Sequence, residues 1–229
     1  MVGRQASLAA HLPLIHPTYY HAEPVMDDIR YGIFLRPDPA TCWAVTRVTL
    51  ALRQQFGIVA ASAFVPHATL IGNLKVTIPE NDLVAALGPA FRDTPPFPVY
   101  NAGVRTAGHS VRFDINLDER GRRPNTRLHD LAGAIRQIVA PLHVNHEDVL
   151  APNVEDYRFG AHLTLAGFDL DVEPRLLGEV AEFTRGLPLT PPASFVARWF
   201  SLFEFRADWS GPWWHDMRSR HVTSWELTT

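Results

Sequence analysis

Two short segments of this chain, His67-Ala-Thr-Leu70 and His162-Leu-Thr-Leu165, place an imidazole two residues ahead of a hydroxyl. Alternate side chains on a strand share a face, so each histidine stands beside its threonine while Ala68, Leu70, Leu163 and Leu165 turn toward a core. Imidazole gains and loses its proton near neutrality, from an ordinary pKa of about 6.5. Two of them in one cleft can divide a reaction at phosphorus. One, neutral, takes a proton from water or a sugar hydroxyl; the other, protonated, gives one to the leaving oxygen. The threonine hydroxyls and nearby amides can hold the non-bridging oxygens, where charge builds in the transition state. This chemistry requires no metal.

A His-x-Thr triplet alone means little. With eleven His and fifteen Thr, four triplets occur, at His16, His67, His162 and His221, against about 0.7 expected by chance. Requiring a following Leu lowers the expectation below about 0.1, and only positions 67 and 162 meet it. They lie at an offset of 95 residues, and six of sixteen positions are identical when 64–79 is set against 159–174 without a gap. The matches pair Phe64 with Phe159, His67 with His162, Thr69 with Thr164, Leu70 with Leu165, Gly72 with Gly167 and Pro79 with Pro174. Shared turn punctuation accounts for the Gly and Pro matches but not for the His and Thr. An internal duplication accounts for all of them.

The elements needed to hold these segments are legible around them. Residues 31–36 read as a buried strand stopped by Pro37. The spacing of Trp43, Val45, Val48, Leu52 and Phe56, with Pro39 at the start and Gly57 past the end, predicts a helix over 39–56. A strand follows at 67–71, then a helix at 79–91 capped by Thr77. Residues 97–106 and 109–117 read as a hairpin turning at Ala107-Gly108. A helix is expected at 125–140, a loop at 143–158, a strand in FGAHLTLAGF, a helix at 174–185, and strands at 193–206 and 218–227. The run 193–206 carries large apolar groups on both faces, as a central strand does. The order of elements in the second half repeats that of the first.

At HATL and HLTL the sequence resembles the two-histidine phosphoesterase superfamily, which includes RNA 2',3'-cyclic phosphodiesterases and the proteins called 2'-5' RNA ligases. The resemblance covers residues 30 to 227 as an order of elements and concentrates at the two motifs. It implies an α+β fold, bilobal through internal duplication, with two antiparallel sheets flanking a central cleft and helices on the outside. The lobes would span about 29–120 and 121–229, with exchange of strands between them left open. By the same resemblance His67 and His162 are the acid/base pair, Thr69 and Thr164 bind phosphate, and neither metal nor cofactor is involved. The implied reaction is metal-independent hydrolysis of a cyclic phosphodiester, a nucleoside 2',3'-cyclic phosphate or an RNA end. Cleavage or ligation of 2'-5' linkages uses the same four groups. A nucleotide-binding or RNA-end-binding module without catalysis is the reading from another class.

Composition limits the alternatives. At 229 residues, 46% hydrophobic and 20% charged, the chain can bury a full core. One cysteine, Cys42, allows no internal disulfide or cysteine-based zinc site and points to a reducing, cytoplasmic setting. A net charge of -3 and a pI near 6.4 exclude a protein that tracks duplex DNA; a nucleic-acid substrate is expected to be small or an end. No apolar run approaches the roughly eighteen residues of a membrane span. The chain is expected to act as a monomer. Residues 1–28 read as an N-terminal arm, in which His11, Pro13 and His16 interrupt any signal-peptide apolar run.

Other chemistry-bearing residues have simpler readings. His11, His16 and His21 share no helical or strand face. His143, His146, Glu147 and Asp148 have a spacing a metal could use, but they read as a solvated loop. Tyr157, Arg158 and Arg36 are candidates for base or phosphate contacts. Trp199, Trp209, Trp213, Trp214 and Trp225, with Arg198, Arg206, Arg218 and Arg220, could clamp a nucleotide, although packing in the core is the simpler role.

Overall fold

The computed structural model describes residues 28–144 and 159–228. The chain runs β1 (Ile29–Arg36), α1 (Pro39–Phe56), β2 (Ala68–Leu74), α2 (Glu80–Arg92), β3 (Phe97–Tyr100), β4 (Val104–Ala107), β5 (Ser110–Asp114) and α3 (Thr126–Val139). It continues with β6 (His162–Ala166), α4 (Phe168–Val172), α5 (Leu177–Gly186), β7 (Ser194–Ala197), β8 (Trp199–Arg206) and β9 (Arg218–Glu226), with single 3-10 turns between several of them.

Local chemistry sets many of these boundaries. Asp38 caps α1 by accepting from the Thr41 N–H at 2.8 Å, Pro39 occupies its first turn, and Gly57 closes it at φ 72° with its N–H on the Arg53 carbonyl. Asn125 caps α3 through the Leu128 N–H. Thr77 does not cap α2. Pro79 takes the capping position there and no side chain bonds the first turn, so the helix starts on proline's preset φ and the acidic Glu80 and Asp82.

Nine strands form three antiparallel sheets among the described residues. The first has the order β2-β1-β8-β9, the second β4-β5-β6, and β3 pairs with β7 in the third. β8 is central, between β1 and β9, which explains why both of its faces are apolar. Sheet membership crosses residue 120: β2, which begins directly after His67, shares its sheet with β8 and β9, and the strand carrying His162 shares its sheet with β4 and β5.

Two strand expectations are corrected. Residues 97–106 are not one strand of a hairpin, because the chain breaks at Asn101–Gly103, where Gly103 takes φ 89°. β3 leaves to pair with β7, and the true hairpin is β4–β5, turning through Gly108 at φ 53°. The run at 193–206 is likewise split at Arg198 into β7 and β8, which belong to different sheets. Alternation of apolar residues continues across both breaks, so periodicity alone does not reveal them. The helix at 174–185 begins as a 3-10 turn and becomes α5 only at Leu177, and α4 stands as an additional short helix.

One continuous core joins all of this. Leu35 and Ile71 from the first sheet, Leu163 and Leu165 from the second, and Phe195 from the third belong to the same buried cluster as Leu52, Leu87, Leu131, Leu170 and Val180 of the five helices. Two smaller aromatic clusters adjoin it, Phe34 with Phe203 and Phe205, and Trp213 and Trp214 with Ala60. No helix among the described residues is long and apolar enough to cross a membrane.

Candidate active site

β2 and β6 deliver the two motifs in the same way. Ala68, Leu70, Leu163 and Leu165 are buried, which anchors each strand, while His67, Thr69, His162 and Thr164 stay half-exposed. All four line one cavity of about 440 Å³. That volume lies in the usual range for small-molecule sites.

The imidazoles are held identically. His67 Nδ1 lies 2.7 Å from the Val65 carbonyl, and His162 Nδ1 lies 2.7 Å from the Gly160 carbonyl. A carbonyl only accepts, so Nδ1 carries the proton in each and the neutral ring keeps its lone pair on Nε2. Thr69 Oγ1 sits 3.1 Å from His67 Nε2 and donates to it while the ring is neutral.

Their surroundings differ. The His67 ring is half-covered by surface area, yet it lies deep between aromatic walls, with Phe34 at 3.9 Å and Phe64 at 5.5 Å between ring centroids. Phe34 can lie this close because Gly32, two residues back on β1, has no Cβ; one would stand 2.4 Å from the Phe34 ring. Burial pushes the His67 pKa down to about 4, against the opposing pull of the Val65 carbonyl, and a charge on His162 pushes the same way. Burial also lowers the His162 pKa, helped by the Arg112 guanidinium 3.4 Å from Nδ1 and opposed by the Gly160 carbonyl and Asp114. Both rings are therefore poised as neutral acceptors in the free protein.

An aromatic cluster makes up one part of the remaining lining. Phe64 meets Trp213 at 6.0 Å, Phe168 meets Trp213 at 4.8 Å, and Trp209 meets Trp213 at 5.1 Å. Phe205, Leu50 and Val45 extend the apolar lining, and Asn73 contributes at a left-handed φ of 51°. Arg53 of α1 is on the lining, and no carboxylate is, among the described residues. A wall of this kind admits a flat apolar group and leaves a mobile anion unopposed.

Asp169, at the start of α4, ties the two motif regions together. Its carboxylate accepts from the Val59 N–H at 3.2 Å and the Ala60 N–H at 2.8 Å, at the head of the 3-10 turn that leads into His67. A second anchor lies behind His162. Asn116 Oδ1 accepts from the Ala161 N–H at 3.0 Å and faces His129 Nε2 at 2.7 Å.

Of the remaining sequence candidates among the described residues, two tryptophans line the cavity and the others do not. Arg36, at the exposed end of β1 opposite Trp199, is not on the lining. Tyr157, Arg158, His146, Glu147 and Asp148 lie outside the described residues, as does the arm with His11, His16 and His21. His143 sits against the Lys75 carbonyl at 3.1 Å. Of the tryptophans, Trp209 and Trp213 line the cavity, Trp214 is buried behind it, and Trp225 stacks on Phe91 at 4.5 Å. Arg198, Arg206 and Arg220 are engaged in ion pairs with Glu226, Glu204, and both Glu80 and Glu204. No group of three or more His, Cys, Asp or Glu among the described residues is arranged to hold a metal ion. Phe34, Arg53, Phe168, Phe205 and Asp169 are not singled out by the sequence. Phe168 could have been found from its place directly after HLTLAG, whereas Asp169 acts across 110 residues and leaves no local signal.

No family model and no curated protein matches the sequence. Among solved structures, the Thermus thermophilus protein TT0787 superposes with a TM-score of 0.52 at 18% identity, covering 86% of this chain and 97% of that one. Escherichia coli LigT complexed with 3'-AMP aligns at a TM-score of 0.49 and 18% identity over 87% of this chain and 98% of that one. Kluyveromyces marxianus Usb1 aligns at 0.43 and 14% over 87% and 100%. This chain shares the mixed fold of antiparallel sheets and helices seen in the Thermus thermophilus protein, and its HATL and HLTL segments resemble those of the two-histidine phosphoesterases.

Proposed function

We propose that this protein is a phosphoesterase that opens a cyclic phosphodiester, a nucleoside 2',3'-cyclic phosphate or an RNA end, by acid/base catalysis with His67 and His162. The observation that carries this reading is the matched pair of imidazoles on one cavity, each with Nδ1 fixed on a carbonyl two residues back and Nε2 left as the working atom. One Nε2 accepts a proton from the attacking water. The other, protonated when the anionic substrate arrives, donates to the departing sugar oxygen as its P–O bond breaks. Thr69 and Thr164 hold the non-bridging oxygens, and the free protein's low imidazole pKa values rise when the phosphate's charge fills the site.

The aromatic wall supports a nucleoside as the group beside the phosphate, with the base lying against Phe64, Phe168, Trp209 or Trp213. The matched geometry of β2 and β6 supports descent of the two halves from one duplicated unit, with the cavity as the cleft between them. Hydrolysis of a panel of nucleoside 2',3'-cyclic phosphates with chelator present is the test. Turnover resistant to chelator, yielding a single phosphomonoester isomer, is the expected result. If the panel binds without turnover, the binding module is the better reading; turnover only of 2'-5'-linked dinucleotides moves the reaction to that linkage.

A further inference from the structure

Both motif strands carry the same distortion. Phe34 faces Thr69 and Ile33 faces Ile71, so Leu70 has no counterpart across the β1–β2 pair. Arg112 faces Thr164 and Val111 faces Ala166, so Leu165 has none across β5–β6. An extra residue in one strand shifts the alternation of faces by one. Side chains three apart then share a face, and Gly72 comes beside Thr69 as Gly167 comes beside Thr164. Both glycines line the cavity with their threonines.

A Cβ at Gly72 would stand 3.2 Å from Thr69 Cγ2, and one at Gly167 would stand 3.3 Å from Thr164 Cγ2. Neither glycine is among those at positive φ, so a left-handed backbone does not account for glycine at either position. At both, the nearest obstacle to a Cβ is the threonine methyl. Methyl and hydroxyl sit on one Cβ a fixed third of a turn apart, so the space that receives Cγ2 also decides where Oγ1 is aimed.

We propose that Gly72 and Gly167 are positioning residues: each provides the space taken by its threonine's methyl and so aims the hydroxyl into the cavity. This rests on the reading of the cavity as a phosphoesterase site. The repeated unit is then His-x-Thr-x-x-Gly, with the glycine part of the site and not punctuation at a strand end. The four-residue segments HATL and HLTL are its first part only.

The test sets Gly72→Ala and Gly167→Ala against Gly72→Ala/Thr69→Ser and Gly167→Ala/Thr164→Ser, with Thr69→Ser and Thr164→Ser as references. Serine lacks the crowded methyl and keeps the hydroxyl. Three readouts are taken: kcat/KM on a nucleoside 2',3'-cyclic phosphate, affinity for inorganic phosphate, and the χ1 angle at 69 and 164 from three-bond couplings. A displacement of a few tenths of an ångström is expected to lower kcat/KM about tenfold in each alanine variant. χ1 of the adjacent threonine should leave its wild-type value, and each double variant should return to the level of its serine reference. Equal impairment in the alanine and double variants would mean that the glycine only keeps the cavity open, which overturns the proposal. An unchanged threonine χ1 in both alanine variants would also overturn it. If wild type turns over no cyclic phosphate, the activity reading fails while the χ1 comparison still decides the steric claim. The two copies serve as independent arms should one variant fail to fold.

Discussion

Among single residues, the sequence discloses the imidazole and hydroxyl pairs because they are spaced for one face of a strand and occur twice. It does not disclose that the two histidines differ. The stack of Phe34 on His67 depends on Gly32, and none of these three is near the motif's partner copy in sequence. The difference has a consequence for stability. A histidine held neutral when folded, with a pKa near 4 for His67, takes up its proton first in the unfolded chain as the pH drops below about 6.5. The unfolded state then binds more protons, so stability falls with falling pH across that window and is unaffected above it. Denaturant unfolding of wild type and His67→Asn at pH 7, 6 and 5 measures this. The variant should lose less stability on acidification than wild type; equal slopes would contradict the burial assigned to His67.

Among the helices and strands, legibility follows how local the signals are. α1 runs over the predicted residues because Asp38, Pro39 and Gly57 mark both ends within the sequence itself. Strands read as present but merged, since alternation does not stop when the chain passes from one sheet to another at Arg198. Contacts between elements far apart in sequence leave no signal at all, and Asp169 is the example that matters for the site. Asn at 169 would turn one carboxylate oxygen into an N–H donor facing a backbone N–H, breaking that bond and weakening the other. Asp169→Asn should cost about 1–2 kcal/mol in urea unfolding and lower kcat/KM about tenfold by loosening the approach to His67. A loss of stability with kcat/KM unchanged would make Asp169 a structural tie without influence on the site.

Across the molecule as a whole, the order of elements suggests two halves in sequence, and the sheets interleave them. β1 and β2 share their sheet with β8 and β9, and β6 pairs with β5 from before residue 120. Fragments 1–120 and 121–229, produced separately, should each lack the dispersed amide spectrum of a folded protein; a dispersed spectrum from either alone would contradict the interleaving. This arrangement is also what gives one cavity access to both motifs, so turnover should depend on both. The decisive experiment is the pH profile of kcat, which reports the substrate-bound site where the phosphate has raised both imidazole pKa values, for a nucleoside 2',3'-cyclic phosphate from pH 5 to 9, for wild type, His67→Ala and His162→Ala. Wild type should give a bell, and each variant should lose one limb of it together with at least about a hundredfold in rate. Either variant retaining wild-type rate and both limbs would contradict the two-histidine account.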